Sequence, residues 1–407
     1  MSNINPELKP FVLRKFAQSK NYPPINWSLN DLPKWLKNDI IQLRIASMKH
    51  EMGKIIFEKM CLTVNLEAEQ FIQWLKGEYS IPYDEEEEIL SSTHWAYYDY
   101  KPAADNFVKE FTEALSFDKL GINGKFSDET VWIGSPGAYT PCHYDSYGYN
   151  LHLQLKGTKR WILFPPETDL SPSRIPYEES TIYSLFDIIG GQLPSNGKQQ
   201  QAYCTYLNEG DLLFIPPKWW HSVLCSEGDE RCGGIFSVNK WFPLESDEEE
   251  RKKECIVGCL ASLIDRENEN SIENQEEQFL HLDSIISEVL QIQQTKNQPI
   301  NKKPRIENEK EEFGEKQMYE FYNKYKSVAE QISPMSFNEL KNEISNKKFM
   351  VFKSEIKDTV IDDGKMRLII PPEINELPYT ENIRKLLNAF THESTLENVL
   401  KLMQDEI

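Results

Sequence analysis

No Cys-x-x-Cys pair occurs anywhere in the 407 residues, and the seven cysteines are scattered and odd in number. That excludes the disulfide framework of a small secreted fold and points to reduced thiols inside a cell. Cys255 and Cys259 lie four apart on a predicted helix, with no second pair nearby, so they read as core packing rather than metal ligands. Long apolar runs are also missing. The longest, Cys255 to Ile264, is too short to cross a bilayer, and the opening MSNINPELKP lacks the apolar centre of a signal peptide. No membrane association is expected, and the expected location is the cytoplasm, with the nucleus as a second compartment. Basic charge is in deficit: 45 Lys+Arg stand against 65 Asp+Glu, for a net charge of −20. Coating a phosphate backbone needs the opposite sign, so direct nucleic-acid binding is not expected. The basic cluster Lys302-Lys-Pro-Arg305 is short and reads as a solvated loop.

The acidity is unevenly placed. Residues 1–90 carry 11 basic and 13 acidic side chains, residues 91–244 carry 12 and 18, and residues 245–407 carry 22 and 34. More than half of the excess therefore belongs to the last stretch, where it serves solubility or a basic partner. Hydrophobic residues at 39% and charged residues at 27% are ordinary for a globular chain, and the length suits two or three domains.

The first ninety residues mix a short strand (Phe11-Val12-Leu13) with helical pieces around Leu32, Trp35 and Leu36 and around Phe71, Trp74 and Leu75. Asp84 to Glu88 reads as an exposed acidic loop, and residues 103–120 read as one helix on the spacing of Phe107, Phe111, Leu115 and Leu120. From about residue 129 the texture becomes β. Leu151, Leu153 and Leu155 alternate with His152, Gln154 and Lys156, then a Gly157-Thr158 turn leads into Trp161-Ile-Leu-Phe164. Short strands at this spacing, with proline at their ends, predict a sandwich or small barrel. After Pro243 helical periodicity returns. A polar linker is expected near 294–312, with further helices over 318–350 and 380–404. No internal repeat is present. The expected division is 1–90 as a mixed segment packing on the barrel, 91–256 as the barrel domain, and 257–407 as an acidic, mostly helical extension.

Chemistry concentrates in Thr140-Pro-Cys-His-Tyr-Asp145. Residues two apart on a strand face the same way, so His143 and Asp145 present an imidazole and a carboxylate to one point. His221 follows a second strand-like run, Phe214-Ile215, and offers a third ligand. Two histidines and one carboxylate on one face, with positions left open, suit a non-heme Fe(II) oxygenase. The triplet alone is equally compatible with chance, and His221 with a packed core histidine.

Thr140-Pro-Cys-His-Tyr-Asp145, Asn150, Lys156-Gly-Thr-Lys-Arg-Trp-Ile-Leu-Phe-Pro-Pro166, Ile215-Pro-Pro-Lys-Trp-Trp-His221 and Ser237-Val-Asn-Lys-Trp241 together resemble the JmjC family. Its members are 2-oxoglutarate- and Fe(II)-dependent oxygenases on a double-stranded β-helix, a cupin-type barrel. The chain is similar to the protein hydroxylases among them, including the asparaginyl hydroxylase of hypoxia signalling, a segment of which Ser92-Thr-His-Trp-Ala-Tyr-Tyr-Asp99 also resembles. It is more similar to a subgroup recognised by association with a small heat-shock protein. That similarity rests on Thr130-Val-Trp-Ile-Gly-Ser135, Asp145-Ser-Tyr-Gly148 and Ser173-Arg-Ile-Pro-Tyr-Glu-Glu-Ser180. The resemblance covers roughly residues 92–243. It implies a mainly β barrel with a helical N-terminal buttress and a mostly α-helical C-terminal extension. It implies His143, Asp145 and His221 as catalytic iron ligands. Lys159 and Thr140 would hold the far carboxylate of 2-oxoglutarate, and Asn150 and Asn239 its metal-bound end. Trp241 matches a pocket-wall residue and is read as packing, and Tyr97 and Tyr98 are candidate substrate or co-substrate contacts for which a core aromatic pair is the favoured reading.

Two functions follow. One is a dioxygenase using Fe(II), 2-oxoglutarate and O2 to hydroxylate a protein side chain, with N-methyl hydroxylation the less favoured outcome. The other is a catalytically weak or silent interaction protein whose partner is a small heat-shock protein or another stress-related protein. A homodimer formed through C-terminal helices is a further implication of the family.

Overall fold

The computed structural model describes residues 8–50, 53–84, 87–122, 129–174, 176–194, 201–265, 314–346 and 388–405. Eighteen strands occur among them: β1 (Phe11–Leu13), β2 (Ile40–Ser47), β3 (Leu62–Glu67), β4 (Ile81–Asp84), β5 (Glu87–Ile89), β6 (His94–Pro102), β7 (Thr130–Gly134), β8 (Tyr139–Asp145), β9 (Tyr149–Lys156), β10 (Thr158–Phe164), β11 (Pro172–Ser173), β12 (Thr181–Ser184), β13 (Gln201–Leu207), β14 (Leu212–Ile215), β15 (Trp220–Glu227), β16 (Ile235–Phe242), β17 (Glu330–Gln331) and β18 (Pro334–Ser336). They form a nine-stranded sheet in the order β17-β1-β14-β9-β16-β7-β6-β2-β3, a seven-stranded sheet in the order β11-β12-β8-β15-β10-β13-β18, and the small hairpin β4-β5. All the pairings are antiparallel.

The middle of the two large sheets is the barrel. Strands β14, β9, β16 and β7 face β8, β15, β10 and β13. The chain passes from one sheet to the other at nearly every step, which is the winding of a double-stranded β-helix. The Gly157 turn is one such passage. It joins β9 of the larger sheet to β10 of the smaller one, so the expected strand–turn–strand is present, with its two strands in different sheets.

Alternation along these strands explains why the N-terminal segment is part of the fold. Leu151, Leu153 and Leu155 of β9 point away from the barrel interior into the largest core cluster. They meet Phe11, Phe71, Phe107, Phe214 and Val238 there. The polar face of β9 is left to line the interior. The helix Glu315–Tyr325 closes the same cluster, with Phe321 stacked on Phe11 at 6.3 Å and on Phe214 at 5.9 Å. Strands β17 and β18 pair with β1 and β13, so residues 330–336 add to an edge of each large sheet.

Several local expectations change. Residues 103–120 form two short helices, Ala103–Asn106 and Lys109–Leu115, and a 3-10 turn, Phe117–Leu120. The break falls where Phe107 bridges to Leu36, a tertiary contact that overrides the periodicity. Part of the acid run belongs to the hairpin β4-β5. Within 318–350 the helix is interrupted by β17 and β18 before Phe337–Asn346. Pro141 sits inside β8, not at its end, and is tolerated because the pairing with β15 is bulged there. The polar linker near 294–312 and the cluster at 302–305 lie outside the described residues. So do most of the helices expected over 380–404, apart from Glu393–Asp405.

Candidate metal and co-substrate site

β8 and β15 bring His143 and His221 face to face as a cross-strand pair, with ring centroids 4.2 Å apart. Asp145 lies two residues on along β8, its Oδ1 3.9 Å from Nε2 of His143. One donor atom from each of the three lies within 4.8 Å of the others. Each histidine donates its Nδ1–H to a backbone carbonyl two residues earlier, His143 to Pro141 at 2.8 Å and His221 to Trp219 at 2.9 Å. Those bonds fix the tautomer and leave both Nε2 lone pairs aimed at one point. Burial, reinforced by the neighbouring His221, pushes the His143 imidazole down to about 4, so it is neutral and ready to ligate near neutral pH. The second oxygen of Asp145 accepts a hydrogen bond from Nε1 of Trp241 at 2.9 Å. Trp241 therefore orients a carboxylate, beyond the packing role expected for it. Two imidazoles with their Nε2 atoms turned to one point and one oriented carboxylate are the donor set of a divalent transition-metal site with open positions.

The bulge in β8 has a consequence for Thr140. Three residues separate it from His143, which strict alternation would put on the opposite face. The register runs from His221↔His143 to Val223↔Thr140, so β8 spends one extra residue across the bulge and both side chains line one pocket.

Lys159 enters the pocket from β10 and is 1% exposed. Its Nζ donates to the Tyr97 hydroxyl at 3.0 Å and to Ser237 Oγ at 2.7 Å, and lies 5.4 and 5.6 Å from the ring centres of Tyr97 and Trp132. No carboxylate among the described residues is within ion-pair distance of it. Burial pushes its ammonium down to about 8. A buried cation with one N–H unspent and no counter-ion is a receptor for an anion. Tyr97 is therefore tied to the pocket through its hydroxyl, while Tyr98 belongs to the core, as expected.

Asn150 and Asn239 are neighbours in this wall. Trp132 Nε1 donates to Asn239 Oδ1 at 2.7 Å, and Asn239 Nδ2 donates to Asn150 Oδ1 at 3.0 Å. The chain of bonds fixes both amides and turns the Asn150 amino group to the pocket. All seven predicted site residues are thus close together, six of them directly around the pocket and Asp145 beside it through the metal cluster.

Other lining residues were not legible as such. Tyr100 adopts φ +51° at a bulge in the pairing of β6 with β7, which lays its ring against Trp132 at 4.3 Å. Nothing in the local sequence announces that bulge. His152 and Trp161 also line the pocket. Each stands two residues beyond a predicted site residue, Asn150 and Lys159, so strand alternation was a usable signal for both.

The marker segment Ser173–Ser180 has a structural task beside this site. Arg174 pairs with Glu254 of the helix Asp247–Asp265, and Glu254 also accepts from the Ser180 backbone N–H at 3.2 Å. Ser146, next to Asp145, donates its own N–H to the Ser180 carbonyl at 2.8 Å. The segment ties the helix Asp247–Asp265 to the end of β8. No described helix is long and apolar enough to cross a membrane.

A family model described as a cupin-like domain matches residues 4–248. Human HSPB1-associated protein 1 is 35% identical over 254 residues, covering 60% of this chain and 50% of that protein. The homolog from Danio rerio is 32% identical over 266 residues, covering 62% and 57%. The lysine-specific demethylase JMJ30 of Arabidopsis thaliana is 32% identical over 105 residues, covering 25% and 24%. The chain spans about half the length of the HSPB1-associated relatives it matches.

Proposed function

This chain belongs to the cupin-like domain family, with distant JmjC relatives, and on that premise we propose that it is a 2-oxoglutarate- and Fe(II)-dependent dioxygenase that hydroxylates a side chain of a protein substrate. The observation that carries the reading is the pairing, in one pocket, of a His143–Asp145–His221 donor set with an anion receptor at Lys159. Bound iron and 2-oxoglutarate would supply the oxidising chemistry, one oxygen atom of O2 going to the substrate and the other to succinate, with release of CO2.

The chain's own residues bind and orient. His143 and His221 would hold the metal through Nε2, with their Nδ1 protons on the Pro141 and Trp219 carbonyls. Asp145 would supply the carboxylate ligand, with its second oxygen held by Trp241. Lys159 and Thr140 receive the far carboxylate of the co-substrate, and Asn150, steadied by Asn239, its near end. The aromatic walls of Trp132, Trp161 and Tyr100 narrow the space left to bulk water.

A binding role is the second reading, favoured by the relatives named for association with HSPB1. A small heat-shock protein is then the proposed partner and also a proposed substrate. Anaerobic titration of the full chain with Fe(II) and 2-oxoglutarate tests the enzyme reading. The expected outcome is a visible metal-to-ligand charge-transfer band that His143→Ala abolishes. Absence of the band in the unaltered protein would overturn the reading, and capture of a small heat-shock protein by that same protein would then favour the second.

A further inference from the structure

The pocket contains polar groups that the assignments above leave unused. His152 stands on β9, opposite Asn239 of β16, and is 3% exposed. Its Nε2 is buried without a hydrogen-bond partner. The ring meets Trp161 edge-on at 4.7 Å, and the Nε1 of Trp161 is likewise buried and unpartnered. Trp161 is two residues from Lys159 on β10 and stacks on His221 at 5.8 Å. The two rings therefore occupy the wall between the ammonium and the metal ligands.

This arrangement is unfavourable while the pocket holds only the protein's own groups. A buried polar atom with no partner gives up its hydration for nothing. Burial, then Lys159, then His221 hold the His152 imidazole well below the usual range, so it is neutral. A neutral ring beside an ammonium offers one N–H and adds no repelling charge. The ligand that would use it carries an acceptor oxygen close to the one that neutralises Lys159.

We propose that His152 is a further co-substrate contact, donating a ring N–H to the same far carboxylate that Lys159 receives. The proposal rests on the 2-oxoglutarate reading above and deepens it. The carboxylate has two oxygens, and Lys159, already committed to Tyr97 and Ser237, has one N–H left for them. His152 supplies a second donor, so the dicarboxylate is fixed at its far end by direction as well as by charge.

The test uses the full chain loaded with Mn(II), which binds without turnover. It is titrated calorimetrically with 2-oxoglutarate and with 2-oxopentanoate, which has the same carbon chain and no far carboxylate. His152→Leu is expected to weaken 2-oxoglutarate by about tenfold or more while leaving 2-oxopentanoate within about threefold. His152→Gln keeps an N–H donor and is expected to hold both ligands within about threefold of the unaltered protein. Should the Leu variant fail to fold, His152→Phe fills the same space beside Trp161 and carries the same comparison. Unchanged 2-oxoglutarate affinity in the apolar variant overturns the proposal. A loss falling equally on both ligands also overturns it, because it marks a packing role. Failure of the unaltered protein to bind 2-oxoglutarate overturns the underlying co-substrate reading instead.

Discussion

Seven histidines serve the whole chain, and three of them, His143, His152 and His221, surround one pocket with a single lysine. Lys159 is a residue whose charge state its surroundings control. Burial lowers its ammonium to about 8, and a bound carboxylate would raise it again. The sign follows from linkage: the ligand-bound form holds the proton more tightly, so raising the pH above the unliganded value weakens binding. Affinity for 2-oxoglutarate is expected to be flat below about pH 8 and to fall by up to about tenfold per pH unit above it. Calorimetric titration of the metal-loaded chain between about pH 7 and 9.5 checks this, and a flat profile across that window contradicts it. The cluster His143, Asp145 and His221 was legible from a two-residue spacing and a strand end. The orienting role of Trp241 was not, because its bond to Asp145 joins β16 to β8 across the barrel, and no local pattern encodes that meeting.

At the scale of the element, the decisive features are irregularities. The bulge at Pro141 turns Thr140 to the same side as His143, and a bulge in β6 turns Tyr100 into the pocket mouth. Gly157 is the third. It has φ +66°, and a Cβ there would lie 2.5 Å from the Glu227 carbonyl oxygen and 2.8 Å from Ile235. This turn hands the chain from β9 to β10, and so sets Asn150 and His152 of one sheet against Lys159 and Trp161 of the other. Gly157→Ala is expected to cost about 2–3 kcal/mol, seen as a lower urea midpoint at unchanged slope. A midpoint equal to that of the unaltered protein would show that the turn relaxes freely. The run Leu151, Leu153, Leu155 announced a strand with one apolar face. It did not announce that this face looks outward, because residues far off in the chain, from β1 and the N-terminal helices to the helix Glu315–Tyr325, make that side a core.

In the whole molecule, the described residues beyond 314 are built onto the barrel. Met318, Phe321 and Tyr325 enter the main core, and β17 and β18 extend both sheets. Phe321→Ala removes a ring stacked on both Phe11 and Phe214 and is expected to cost about 3 kcal/mol, with a lower melting temperature. An unchanged melting temperature would show that this helix adds nothing to the barrel. The strong acidity of the last third coexists with this docking through ion pairs. Lys253 pairs with Glu393, and Lys218 with Glu250 at 3.1 Å, so part of the acidic excess is answered by lysines of the barrel and of the adjoining helix.

The sequence by itself determined the strand character of much of residues 129–242, the placing of His143 and Asp145 on one face, and which residue types could meet there. These depend on short-range rules: alternation, turn residues, and ligand types at fixed spacing. The tertiary structure decided which face of β9 is core and which is pocket. It also joined His221 to His143, put Thr140 on the inner side, and buried Lys159 and His152 in the wall of one pocket. Those outcomes depend on register between strands far apart in the chain, and register is set by the packing of both sheets together.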